Sequence, residues 1–111
     1  MKVVSNMVFL TDATGSVESN PYINTNTDVG SVQVSGNFSA GTVNVQALVD
    51  VKSGEWVNIA VINTKDYTVA ESIEATGIYE FGTEGASQIR VVTTGVTGTV
   101  SVFAKFTNTG V

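Results

Sequence analysis

The chain contains no cysteine and no histidine. Without cysteine there are no disulfide staples, thiol nucleophiles or thiolate metal sites. Without histidine the commonest general base at neutral pH is missing, and so is every histidine-based triad or metal centre. There is one proline, and charged residues make up only 14% of the chain, well under the ~25% of an ordinary soluble domain. A large share of the surface is therefore threonine, serine, asparagine and glycine, which costs little to desolvate against a partner. The basic residues are Lys2, Lys52, Lys65, Arg90 and Lys105, set against ten acidic ones for a net charge of -5. No two of these cations are close in sequence, so the clustered positive charge that binds nucleic acid is absent and no direct nucleic-acid partner is expected. No apolar run approaches the ~20 residues of a membrane span. Ser5 and Asn6 interrupt the N-terminal apolar stretch, so a signal peptide is not expected and the chain reads as soluble and unprocessed.

What is present is β-branched. Twenty valines and fifteen threonines among 111 residues, 42% of them hydrophobic, suit pleated strands and penalise helices. The length fits a single domain over residues 1–111 with one core. Period-two alternation is the dominant pattern. From Thr42 to Val51 the odd positions are apolar and only Leu48 breaks the polar face. Val32, Val34 and Phe38 alternate just before, and Ser39-Ala40-Gly41 reads as a hairpin connection. The turn Lys52-Ser53-Gly54-Glu55 then leads into a strand from Trp56 to Ile62, completing a three-strand meander over 31–62.

Val3 to Leu10 reads as a first strand, with a docking arm as the alternative. Tyr67, Val69, Ile73 and Ala75 share a parity and read as a strand, with a short helical turn as the other reading. Ile78 to Phe81 and Gln88 to Thr93 are further strands, the latter with Ile89 and Val91 inward and Arg90 outward. After a two-glycine loop at 94–98, the last strand, Thr99 to Thr107, sets Val100, Val102, Ala104 and Phe106 against Ser101, Phe103 and Lys105. The expected fold is all-β: a jelly-roll-like antiparallel β-sandwich of about eight strands. The polar stretch 18–30, which holds Pro21, is expected to be a long loop.

The ten carboxylates fall mostly at turns or on polar parities, where solvation explains them without a facing catalytic pair, and an enzyme is not expected. Asn24, Asn26, Asp28 and Gly30 fall short of a calcium loop: Val29 stands where the glycine should follow the third ligand, and no glutamate lies at the required offset. A polar turn whose Asn and Asp side chains bond their own backbone fits better. The Gly82-Thr83-Glu84-Gly85 segment carries a carboxylate that repels phosphate and reads as a turn. No metal or cofactor is expected. Phe38 and Phe106 follow core parity, whereas Trp56 and Phe103 read either as packed under a loop or as exposed anchors for a partner, and Tyr22 is a third candidate contact.

The hairpin from Val49 to Ile59, with its Gly turn and Trp-Val pair, resembles a unit common in small β-sandwich accessory proteins of tailed bacteriophages. So do Ala75 to Tyr79 and Gln88 to Val92. In size and in its Val/Thr/Gly/Asn-rich composition the whole chain resembles capsid decoration (cement) proteins, most of all the staple protein of epsilon-type short-tailed Salmonella phages. That resemblance implies a jelly-roll homodimer, made in the host cytoplasm and seated on the outer capsid surface of the virion. There it would bridge major capsid protein subunits and stabilise the shell. Many lattice copies would turn weak single contacts into durable cement. Sheet edges and termini, Val3 to Leu10 and Phe103 to Val111, are the expected contact segments. The candidate interface residues are Val3, Val4, Met7, Phe9, Tyr22, Trp56, Phe103 and Phe106. The alternative is a glycan-binding sandwich of a phage fibre or adhesin, with Trp56, Tyr22 or Tyr79 as its stacking platform.

Overall fold

The structure, a computed structural model, describes residues 4–108. It consists of strands and turns: β1 (Val4–Gly15), β2 (Tyr22–Ile23), β3 (Val29–Leu48), β4 (Val57–Asn58), β5 (Val61–Asn63), β6 (Val69–Ala70), β7 (Gly77–Gly82) and β8 (Gln88–Thr107). The expected all-β architecture of eight antiparallel strands is present. The strands run in the order β1-β8-β3-β7-β5-β6, with β2 added to β8 and β4 to β3.

Two strands organise the molecule. β3 and β8 are each 20 residues long and pair with one another along their length. A straight strand of that size would measure roughly 66 Å, yet the longest dimension of the protein is 40 Å. Both strands must therefore bend, and the register shifts between Phe38 and Ala40 and between Ala40 and Thr42 show where. Glycine makes the bend possible. Gly36 and Gly98 adopt φ of 117° and 97°, and a Cβ on either would fall 2.4 Å from the Thr99 carbonyl oxygen or 2.2 Å from that of Asn37. Across the bend the buried parity switches in both strands. Val32 and Val34 give way to Val43 and Val45, while Val100 and Val102 answer Ile89 and Val91. One ribbon thus folds over to face itself, and residues from both halves meet in a single core.

This continuity corrects two expectations. Ser39-Ala40-Gly41 is not a hairpin connection, and 94–98 is not a loop between strands. Each is an irregular step inside one strand, because glycine and small polar residues serve a bulge as well as they serve a turn. The face from Thr42 to Val51 is also not uniform: Leu48 is buried, whereas Val49 and Val51 are exposed in the turn beyond β3. The Trp56 to Ile62 strand is split into β4 and β5. The 67–75 segment contributes only β6 and an isolated bridge, in which Val43 and Ile73 exchange two backbone hydrogen bonds of 2.8 Å. The 18–30 loop contains β2.

An aromatic cluster fills the half of the core beneath β1. Phe106 is 0% exposed; Tyr22 stacks on it, and Phe9 and Phe81 approach it edge-on with centroids 6.1 Å away. Gly30 keeps this cluster possible, since a Cβ there would lie 2.5 Å from the Phe81 ring. Burial of each such ring contributes roughly 1.5–3 kcal/mol.

Candidate functional site: an outward sheet face and an open edge

The register of β1, β8, β3, β7 and β5 fixes what the sheet turns toward solvent. Residues directly opposite one another in antiparallel strands point to the same side. Val8 pairs with Phe103, Phe103 with Gln33, and Gln33 with Ile78, which makes one row across four strands. The next row runs Asn6, Lys105, Ser31, Glu80, Ile62 and Val69. Val8, Phe103 and Ile78 are 56%, 44% and 49% exposed, so this face carries an apolar band with a partly aromatic centre. A shallow groove of about 330 Å³ runs beside Phe103, lined by Asn6, Ser31, Gln33, Ile78 and Lys105.

The edge of the same sheet is open at β1. Among the described residues β1 pairs only with β8, leaving backbone N–H and C=O groups on its other side for a further strand. Natural edges are commonly blunted by charge, proline or bulges. From Val4 to Thr11 there is no charged residue and no proline, and the first register shift comes only between Val8 and Leu10.

The expected interface residues divide across this frame. Phe103 is on the outward face, and Val4 is exposed at the start of β1. Met7 points to the opposite side, half-buried against the core. Phe9, Tyr22 and Phe106 are core residues, which corrects their assignment as partner contacts. Tyr22 departs from expectation because β2 pairs with Ile89 and Gln88 and carries the ring inward from a polar segment. Trp56 is half-buried, with the Arg90 guanidinium 4.4 Å from its ring centroid. Arg90 is itself held by Gln46 at 2.9 Å and by Glu18 at 3.1 Å. Val3 lies outside the described residues. Of the three glycan-stacking candidates, Tyr22 and Tyr79 are buried, the Tyr79 hydroxyl donates to the Ala75 carbonyl at 2.9 Å, and one face of Trp56 is taken by Arg90. Val8, Ile78, Ile62, Val69, Lys105 and Glu80 complete the outward face; Val8 and Lys105 fall within the expected contact segments, whereas Ile78, Ile62, Val69 and Glu80 go beyond the residues expected from sequence. Strand parity marks several of them as solvent-facing, but only pairing register brings them into rows.

The polar turn expected at 24–28 is present. The Asn24 amide nitrogen donates to the carbonyls of Thr83 and Ala86, each at 2.9 Å. Its oxygen accepts from the Thr27 amide at 3.0 Å and from the Thr27 hydroxyl. Both ends of that side chain are therefore committed to the protein. A cleft beside it is lined by Asn26, Asp28, Glu84 and Asn108, and no group of three or more acidic side chains able to hold a metal occurs among the described residues. Two titrating groups are shifted. The Thr68 hydroxyl and amide hold the Asp66 carboxyl below its ordinary value, while burial, then the nearby Asp66 charge, pushes the Tyr79 phenol up. Asp66 braces a hairpin tip where Tyr67 stands exposed at a φ of 61°.

No protein-family description and no curated protein matches this sequence. The fold is similar to solved structures. The SPBc2 prophage-derived protein YomS superposes with a TM-score of 0.88 at 20% identity, over 97% of this chain and 96% of that one. The PBSX exported protein XepA superposes with a TM-score of 0.90 at 22% identity, over 96% of this chain and 38% of XepA. The chain thus has the fold of one whole prophage-derived protein and of a portion of a longer exported one.

Proposed function

We propose that this chain is a structural protein of a bacteriophage that works by binding and not by catalysis. In this reading it decorates the outer capsid surface of the virion and staples neighbouring major capsid protein subunits, paired about two-fold axes. The observation that carries the reading is the fold shared with two phage-derived proteins over nearly the whole chain. Three features support it. The exterior is poor in charge and rich in hydroxyls, so it is cheap to desolvate. The net charge of -5 suits a position outside the shell, away from packaged DNA. The uncharged β1 edge offers backbone hydrogen bonds to a strand of a capsid subunit, with Val4 as a flanking apolar contact.

The test is uptake by empty shells lacking the protein, run beside a glycan array. Saturable shell binding with no sugar signal is expected. Sugar binding without shell uptake contradicts the proposal and favours a fibre or adhesin module.

A further inference from the structure

The two charges on the outward face stand symmetrically about β3. Lys105 lies opposite Ser31 on the β8 side and Glu80 lies opposite Ser31 on the β7 side. In the adjacent row Phe103 and Ile78 flank Gln33 in the same way. Neighbouring strands are about 4.8 Å apart, so each flanking residue is one strand spacing from the β3 line. Lys105 and Glu80 are both exposed, and the one ion pair among the described residues is Arg90–Glu18. The two rows across β1, β8, β3 and β7 hold no other charge, which makes this face neutral on a molecule with ten acidic and five basic residues.

We propose that this face receives a second copy of the same chain, sheet against sheet, about a two-fold axis lying in the interface parallel to β3. A half-turn about that axis lays the β8 column of one copy over the β7 column of the other. Lys105 then meets Glu80 of the partner copy, twice by symmetry, and Phe103 meets Ile78 of the partner copy. Gln33 and Ser31 meet themselves on the axis. A face with one cation and one anion at equal distances from its centre is complementary to itself, and that is why the occupant is another copy and not an unrelated protein. Two molecules of net negative charge repel, and they meet with least penalty where each is neutral. Strands related by such an axis are nearly aligned, the ordinary arrangement of facing sheets. The groove beside Phe103 provides the relief into which apolar side chains of the partner copy fit. This face gives the pairing proposed above its surface, but its self-complementarity rests on strand register alone.

Sedimentation equilibrium on the full chain tests it, using the wild type, Lys105→Glu, Glu80→Lys and Phe103→Glu, each confirmed as folded by circular dichroism. The wild type is expected to be a dimer. Each charge reversal alone sets like charges against one another and is expected to weaken the dimer about tenfold or more. An equimolar mixture of Lys105→Glu and Glu80→Lys restores opposite charges at both contacts and is expected to recover dimerisation. Phe103→Glu is expected to yield a monomer. A monomeric wild type, a dimer indifferent to Phe103→Glu, or a charge-reversed mixture that fails to associate overturns the inference. Shell uptake by the same samples separates the two proposals: a dimer with these responses that ignores shells upholds this face and removes the capsid reading. A wild-type monomer that binds shells does the reverse.

Discussion

Tyr22 lies flat against Phe106, with ring centroids 3.8 Å apart and planes within 3°. The contact ties a short strand from a polar segment to the most buried ring of the core, yet the Tyr22 hydroxyl is buried with no hydrogen-bond partner among the described residues. An unpartnered buried hydroxyl costs about 1–3 kcal/mol. Tyr22→Phe should therefore keep the stack and raise unfolding free energy by about 1 kcal/mol, whereas Tyr22→Ala should lower it by about 3–5 kcal/mol. Urea melts of the two variants check the pair. Equal destabilisation by both would show that the hydroxyl is satisfied.

The bend in the β3–β8 ribbon depends on glycine at positions where chains crowd. Gly98→Ala forces a Cβ to within 2.2 Å of the Asn37 carbonyl oxygen at a φ of 97°, so a loss of about 3 kcal/mol or more is expected. Gly54 also has positive φ, 66°, but nothing lies within 4 Å of where a Cβ would stand, so Gly54→Ala should cost only about 1 kcal/mol. Thermal melts of both proteins measure the contrast.

Asn24 pins the 24–28 turn to the 83–86 turn through its amide nitrogen, while its oxygen holds Thr27. Asn24→Asp replaces the donor facing the Thr83 and Ala86 carbonyls with an acceptor, and a loss of about 2 kcal/mol is expected because those contacts become repulsive. The same commitment leaves this side chain no free ligand atom, so millimolar calcium should leave the melting temperature unchanged. Calorimetry with and without calcium reads both effects.

Tyr79 gives the protein an alkaline limit. Its phenol is raised in the folded state above the ordinary 10.0, first by burial and then by the Asp66 charge. The unfolded phenol ionises first as pH rises. This contribution to stability is therefore complete below pH 10.0 and is lost as pH climbs from there through the raised folded value. Tyr79→Phe should flatten that limb while giving up the bond to the Ala75 carbonyl, at a cost of about 1 kcal/mol near neutrality. Denaturant melts across the alkaline range, beside a spectroscopic titration of the phenols, distinguish the two consequences.

Much of the fold is legible in the residues. Valine and threonine abundance and period-two alternation identify an all-β chain of about eight strands, and parity places Ile89, Val91, Val102 and Phe106 inward. Ser39 to Gly41 and Thr94 to Gly98 defeat the same reasoning, because local composition does not distinguish a bulge within one long strand from a turn between two. The site is less legible. Whether Val8, Phe103 and Ile78 form one row depends on pairing between residues as distant as Val8 and Phe103, which no local pattern encodes. Tyr22 looks like a loop aromatic until β8 is known to accept a third strand beside it. Phe103 is identifiable because it sits on the wet parity of a strongly alternating strand.

In the proposed function this protein coats a shell in register with its lattice. The most direct measurement is the ratio of this chain to the major capsid protein in purified phage particles from a lysate that expresses it, by quantitative mass spectrometry. A fixed, lattice-scale ratio, lost together with shell stability when the gene is deleted, is the expected result. A handful of copies per particle, or none, would contradict it.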